Sequence, residues 1–212
     1  MKYLLPIILV AFIGAAQAQA PRPERVVDGT TVISSRNPRI HIEMPATAQY
    51  LGAERWNLYD VADCEIHVFV DAGKDRVVKR LYWIQFEGHL YPQNHYDYSK
   101  DEPRVIQGMD FRVRARFGPT SEAPKPGSDL EHVLKMIANA GYELPADMMN
   151  VRLVHLPDEA HQRELMVIYS EDLAPTGLTA AELRHGNEPA PAWRPIEAAL
   201  IERAAKRVRF IR

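Results

Sequence analysis

The seven residues 111–117, FRVRARF, alternate apolar and arginine side chains without a break. Read at period two, Phe111, Val113, Ala115 and Phe117 fall on one side of a β-strand and Arg112, Arg114 and Arg116 on the other. A helix would scatter both sets around its circumference. The segment therefore commits the chain to a sheet with one buried and one polar face, a habit of antiparallel rather than wholly parallel sheets.

Neighbouring segments agree. Residues 64–71, CEIHVFVD, alternate again, with Cys64, Ile66, Val68 and Val70 on one face. The turn AGKD at 72–75 joins them to a long β-rich run at 76–89, and two such runs across a short Gly-containing turn read as a hairpin. A second hairpin is predicted between residues 151–156 and 164–170. Short runs at 31–33 and 39–43 read as further strands, and residues 45–60 as a short helix followed by a loop around Trp56.

Helical signals come late in the chain. Ser128 and Glu131 form a capping box ahead of Leu130, Val133, Leu134 and Ile137 at helical spacing, with Gly141 as the stop. Thr179 and Glu182 form a second box, opening a short helix that Gly186 ends. A last helix is predicted over 196–208, with Ile196, Ala199, Leu200, Ala204 and Val208 as its apolar stripe. This order implies an α+β fold: an antiparallel sheet built from hairpins, packed by one central helix and a C-terminal helix. A half-open β-barrel or curved sheet with helices is the alternative.

The first 20 residues read differently from the rest. Lys2 precedes an apolar run that ends in the small-residue pattern A-x-A at 16–18 and again at 18–20. That is the pattern of a secretory signal peptide, cleaved after residue 18 or 20, and it implies a periplasmic or secreted product with a single α+β domain over 19–212. The run is shorter than the roughly 20 residues that a membrane-crossing helix needs, so no transmembrane segment is expected in the mature chain. Export also bears on the one cysteine, Cys64, which has no partner for an internal disulfide. Its place on an apolar strand face predicts a buried thiol.

Charge narrows the function classes. With 26 Lys+Arg against 28 Asp+Glu the formal charge is −2, which provides no diffuse basic field for collecting phosphates, and nucleic acid is not an expected partner. No Gly-rich phosphate loop, G-x-S-x-G elbow or H-E-x-x-H motif occurs. No cofactor and no metal site are expected: a single cysteine excludes a Cys-rich site, and the pairs His89/His95 and His155/His161 match no recognised ligand spacing.

What remains are three local signals. Tyr82, Trp83, Phe86, Tyr91, Tyr96 and Tyr98 crowd into residues 82–98 with His89 and His95 among them. They read either as sheet-packing residues or as the wall and rim of a cleft that stacks on a flat ligand. The arginine ladder Arg112, Arg114 and Arg116, with same-face neighbours about 7 Å apart, would suit a carboxylate or polyanion, or else pair with acids such as Glu65 and Asp71 on a neighbouring strand. Residues 202–212 are strongly basic, which complements a helix C-terminus or makes weak peripheral contact with a membrane.

Together these signals predict an exported domain that binds a small molecule or an envelope component through its aromatic and His-rich loop. The expected ligand residues are Tyr82, Trp83, His89, Tyr91, His95, Tyr98, Arg112, Arg114 and Arg116. Two other readings are a hydrolase of envelope or extracellular substrates, with His95 and Asp97 as acid/base residues, and a structural envelope protein docking by its basic C-terminal helix.

Overall fold

In the computed structural model, which describes residues 21–212, β-strands dominate and two α-helices complete the fold. The proposed signal segment lies outside the described residues. The central element is a seven-stranded sheet in the order β4 (Gln49–Leu58), β5 (Ala62–Ala72), β6 (Val78–His89), β10 (Arg163–Asp172), β9 (Asp147–His155), β8 (Met109–Pro119) and β7 (Glu102–Ile106). Every neighbouring pair is antiparallel. Strands β4 and β7 are left as edges, so the sheet is open and not a closed barrel.

A smaller sheet runs β1 (Val26–Asp28), β2 (Thr31–Ser34), β3 (Ile40–Glu43) and β13 (Arg209–Ile211), joining the two ends of the described chain. A ribbon of β11 (Arg184–His185) and β12 (Glu188–Pro189) stands apart from both.

Strand alternation sends two apolar sets to opposite faces of the large sheet. On one face Phe69, Tyr82, Ile84, Phe111, Val151 and Tyr169 pack with Trp193, Leu200 and Ala204 of α2 (Trp193–Arg207) and with Ile42 and Phe210 of the small sheet. On the other, Ile66, Val68, Trp83 and Met166 pack beneath Val133, Met136 and Ile137 of α1 (Asp129–Asn139). The α1 start follows its sequence signal. The Ser128 hydroxyl accepts the Glu131 amide at 3.4 Å, and the Glu131 carboxylate takes the Gly127 amide at 2.7 Å.

A width mismatch on the α1 face positions everything that follows. Seven strands about 4.8 Å apart span roughly 29 Å, whereas a helix with its side chains is only about 10 Å across. Helix α1 lies nearest β4. The β8–β9 side of this face is consequently left to residues 90–101, the loop after β6, and to the polar sides of the strands themselves.

Several segments differ from their local signals. Residues 45–60 form no helix: they supply edge strand β4, whose ladder to β5 outweighs local propensity, with a register break beside Gly52. Strand β7 carries Pro103, which is tolerated because the strand lies at the sheet edge. The Thr179–Glu182 box does form, through the Thr179 hydroxyl and amide, but the chain makes one turn and then enters the β11–β12 ribbon. A cap stabilises a first turn and cannot by itself extend it. At the C-terminus Val208 is already extended, and residues 209–211 pair with β3 with Phe210 buried. The basic end is thus tied into the fold, with Arg203 paired to Glu171 and Arg209 to Glu43. No helix among the described residues is long and apolar enough to cross a membrane.

Candidate functional site

Residues 90–101 are pinned to the α1 face of the sheet by two tyrosines. The Tyr96 hydroxyl donates to Glu87 Oε1 at 2.8 Å and the Tyr98 hydroxyl to Glu164 Oε2 at 2.6 Å. The His89 ring stacks on Tyr96 with centroids 4.1 Å apart, and the Tyr96 amide donates to the His161 carbonyl at 2.8 Å. Beneath the loop lies an acidic network. Trp83 Nε1 donates to Gln85, Gln85 Nε2 donates to Glu87 Oε2 at 2.6 Å, and the Cys64 thiol donates to the same oxygen at 2.9 Å. Asp129, at the first turn of α1, is a third carboxyl in this network.

Burial first, and then the charge of Glu87, push Glu164 up to about 8. The same two causes, in the same order, push Asp129 up to about 6. Burial and Glu87 also raise the Cys64 thiol, which matches its full burial. Cys64, Glu87 and Asp129 are the described residues whose potential ligand atoms converge, within 4.8 Å of one another. A metal-bound cysteine is a thiolate, however, and this one is held as a hydrogen-bond-donating thiol.

Beyond the loop the arginine ladder is exposed in an uneven way. Arg114 on β8 stands opposite Arg152 on β9, and Asp101 bridges them, forming an ion pair with Arg114 (Nε to Oδ1 3.0 Å) and accepting a hydrogen bond from Arg152 Nη2 at 2.7 Å. Arg152 also lies over the Tyr98 ring at 4.9 Å. The acids expected to neutralise the ladder sit on the opposite face. There Glu65 takes Arg25 and His67, and Asp71 takes Arg80. Among the described residues neither Arg112 nor Arg116 has an ion-pair or hydrogen-bond partner.

The two unpaired arginines line separate recesses. Arg112 lies in a cavity of about 440 Å³ with Asp97, Tyr98, Ser99, Asp110, His155 and His161. Arg116 lines a groove of about 430 Å³ beside α1. A third recess, of about 320 Å³, holds Arg25, Arg36, Arg55 and Arg163. Its first three guanidiniums are already taken by Glu65, Glu24 and Asp63.

Of the ligand residues expected from the sequence, Tyr98 and Arg112 meet in one cavity, with Asp97, His155 and His161 beside them, and Trp83 and Arg116 meet in the groove beside α1. Tyr82 points to the other face, fully buried against Tyr169 at 5.4 Å. Trp83 is on the α1 face, 6% exposed. His89 is half-buried behind Tyr96, Tyr91 is exposed at the loop's near end, and His95 is exposed. The Asp97 carboxylate accepts the Ser99 amide at 2.9 Å, and the Ser99 amide and hydroxyl hold it below the usual carboxylate range. Asp101, Arg152, Glu87 and Glu164 carry no sequence motif. Only the alternation of β6, which puts Trp83, Gln85 and Glu87 on one face, hinted at the acidic network.

One hydroxyl–imidazole–carboxylate row occurs on the far face. Tyr50 Oη lies 3.2 Å from His67 Nδ1, and His67 Nε2 lies 2.9 Å from Glu65 Oε1. Burial, reinforced by Glu65, pushes the Tyr50 phenol up to about 12, the opposite of an activated nucleophile. The row instead anchors the N-terminal segment, since Glu65 also accepts the amides of Glu24 and Arg25 at 2.7 and 2.8 Å.

No family model, curated protein or solved structure matches this chain.

Proposed function

We propose that this chain is an exported binding domain that takes a small anionic ligand in the cavity where the end of loop 90–101 meets β7, β8 and β9. The carrying observation is Arg112: a half-buried guanidinium with no partner among the described residues, facing a cavity of about 440 Å³ that it shares with two imidazoles and a tyrosine. A planar guanidinium without an internal acid is suited to accept a carboxylate or phosphate through two parallel hydrogen bonds.

Asp97 and Asp110 line the same cavity and would repel a polyanion. The combination favours a ligand with one anionic group for Arg112 and several hydroxyls for the carboxylates, which describes a sugar acid. Export is supported by the signal-like character of residues 1–20, and a periplasmic or secreted domain would meet such ligands there. The hydrolase reading has less support, because His95 is exposed and lies outside this cavity, and Asp97 is bound to Ser99.

The test is a titration of the protein with D-glucuronate, inorganic phosphate and D-glucose, followed at the Arg112 side chain and at the rings of His155 and His161 by NMR. Saturable shifts are expected with the anions, weaker by about tenfold in Arg112→Ala, with glucose much the poorest. Shifts that are equal for glucose and glucuronate, or untouched by Arg112→Ala, overturn the assignment.

A further inference from the structure

The other end of the ladder carries a different recess. Helix α1 buries Val133, Met136 and Ile137 against the sheet. Leu130 and Leu134, one turn apart on its flank, remain outside that contact, with Leu130 43% exposed. Since α1 is too narrow for its face, this flank borders a groove of about 430 Å³ that is also lined by Trp83, Ile168 and Met148. Arg116 lines the same groove, exposed and without a partner among the described residues. A strip of apolar surface beside an unpaired guanidinium is complementary to one kind of molecule: an apolar chain with an anionic head.

We propose that this groove binds a single-chain fatty-acid-type carboxylate, its alkyl chain lying on Trp83 and Ile168 along the Leu130/Leu134 flank and its head group held by Arg116. Glu122 also lines the groove, and its charge turns away a second anionic group, so a monocarboxylate fits better than a phosphate dianion. Arg116 is four residues from Arg112 along β8, which separates the two guanidiniums' backbone positions by roughly 14 Å. The groove and the sugar-acid cavity are therefore distinct, and either assignment stands if the other fails.

The experiment uses two soluble probes of equal length, 11-bromoundecanoate and 11-bromoundecanol, whose bromine quenches tryptophan on contact. In the wild-type protein both are expected to quench part of the emission saturably, the carboxylate binding about tenfold more tightly. Trp83→Phe should remove the quenched component, since Trp56 and Trp193 do not line the groove. Arg116→Gln, an exposed change that leaves the fold intact, should erase the preference for the carboxylate and leave alcohol binding unchanged. Leu134→Glu should weaken both probes. Quenching that persists in Trp83→Phe, or a carboxylate preference that survives Arg116→Gln, overturns the proposal. So does a dimer that dissociates in Leu134→Glu while neither probe binds, because the groove would then belong to a second copy of the chain.

Discussion

Glu87 and Glu164 stand directly opposite each other on β6 and β10, both turned toward α1 and roofed by Tyr96 and Tyr98. Side chains so placed have their Cβ atoms about 5 Å apart, so two full charges there repel strongly with little water to screen them. Glu164 is 3% exposed, and burial followed by the charge of Glu87 pushes it up to about 8.

Stability should therefore decline on the alkaline side. The native state holds a proton on Glu164 that the unfolded chain releases near 4.5, so unfolding becomes easier as pH rises from about 4.5 to about 8. Asp129, raised to about 6, adds to the same trend over its lower part. Glu65 acts in the opposite sense. Burial works to raise it, but the His67 ring, the amides of Glu24 and Arg25 and the Arg25 guanidinium hold it down at about 2, so its contribution is complete above about 4.5 and is lost as pH falls toward 2. Thermal unfolding should show a maximum near pH 5. Glu164→Gln should flatten the alkaline decline, gaining on the order of 2 kcal/mol at pH 8.

The arginines of one ladder should respond unequally to mutation. Removing the carboxylate charge in Asp101→Asn leaves Arg114 and Arg152 facing each other with only a neutral group between them, and should cost about 2 kcal/mol in chemical denaturation. Arg112→Ala and Arg116→Ala break no internal pair and should stay within about 0.5 kcal/mol of wild type. Equal losses at all these positions would contradict the bridging role of Asp101.

Tyr98→Phe removes the hydroxyl that ties the loop to Glu164. Hydrogen exchange of the amides in residues 94–101 should accelerate, while amides in the β5–β6 ladder keep their protection, because the change opens the loop without opening the sheet. The loss in global stability should be about 1 kcal/mol.

Cys64 is fully buried and its thiol is raised by burial and by Glu87. A thiol reagent such as Ellman's reagent should leave the native protein unlabelled at pH 8 and react stoichiometrically once denaturant unfolds it. Rapid native labelling would show that the α1 face opens at this end.

The sequence speaks clearly wherever a single element settles the question. Period-two alternation is a property of one strand, so it identified the buried side of residues 111–117, the apolar face that hides Cys64 and the antiparallel habit of the sheet. The Ser128 box likewise located the start of α1, since capping involves only neighbouring residues. The same local logic failed at residues 45–60 and 179–186, where a ladder to β5 and a ribbon around Gly186 override helix signals that lie within the segment.

The site depended on distances the sequence does not encode. Pairing of β6 with β10 sets Glu87 against Glu164, and the return of the loop onto the sheet delivers Asp101 to Arg114 and Arg152, sparing Arg112 and Arg116. By itself the sequence determined which sides of its strands are polar and that three arginines share one of them. Only the tertiary structure decided which of the three is neutralised and which remain available. Strand order and register are chosen by burying both faces of the sheet together, and that choice belongs to the whole chain rather than to any segment of it.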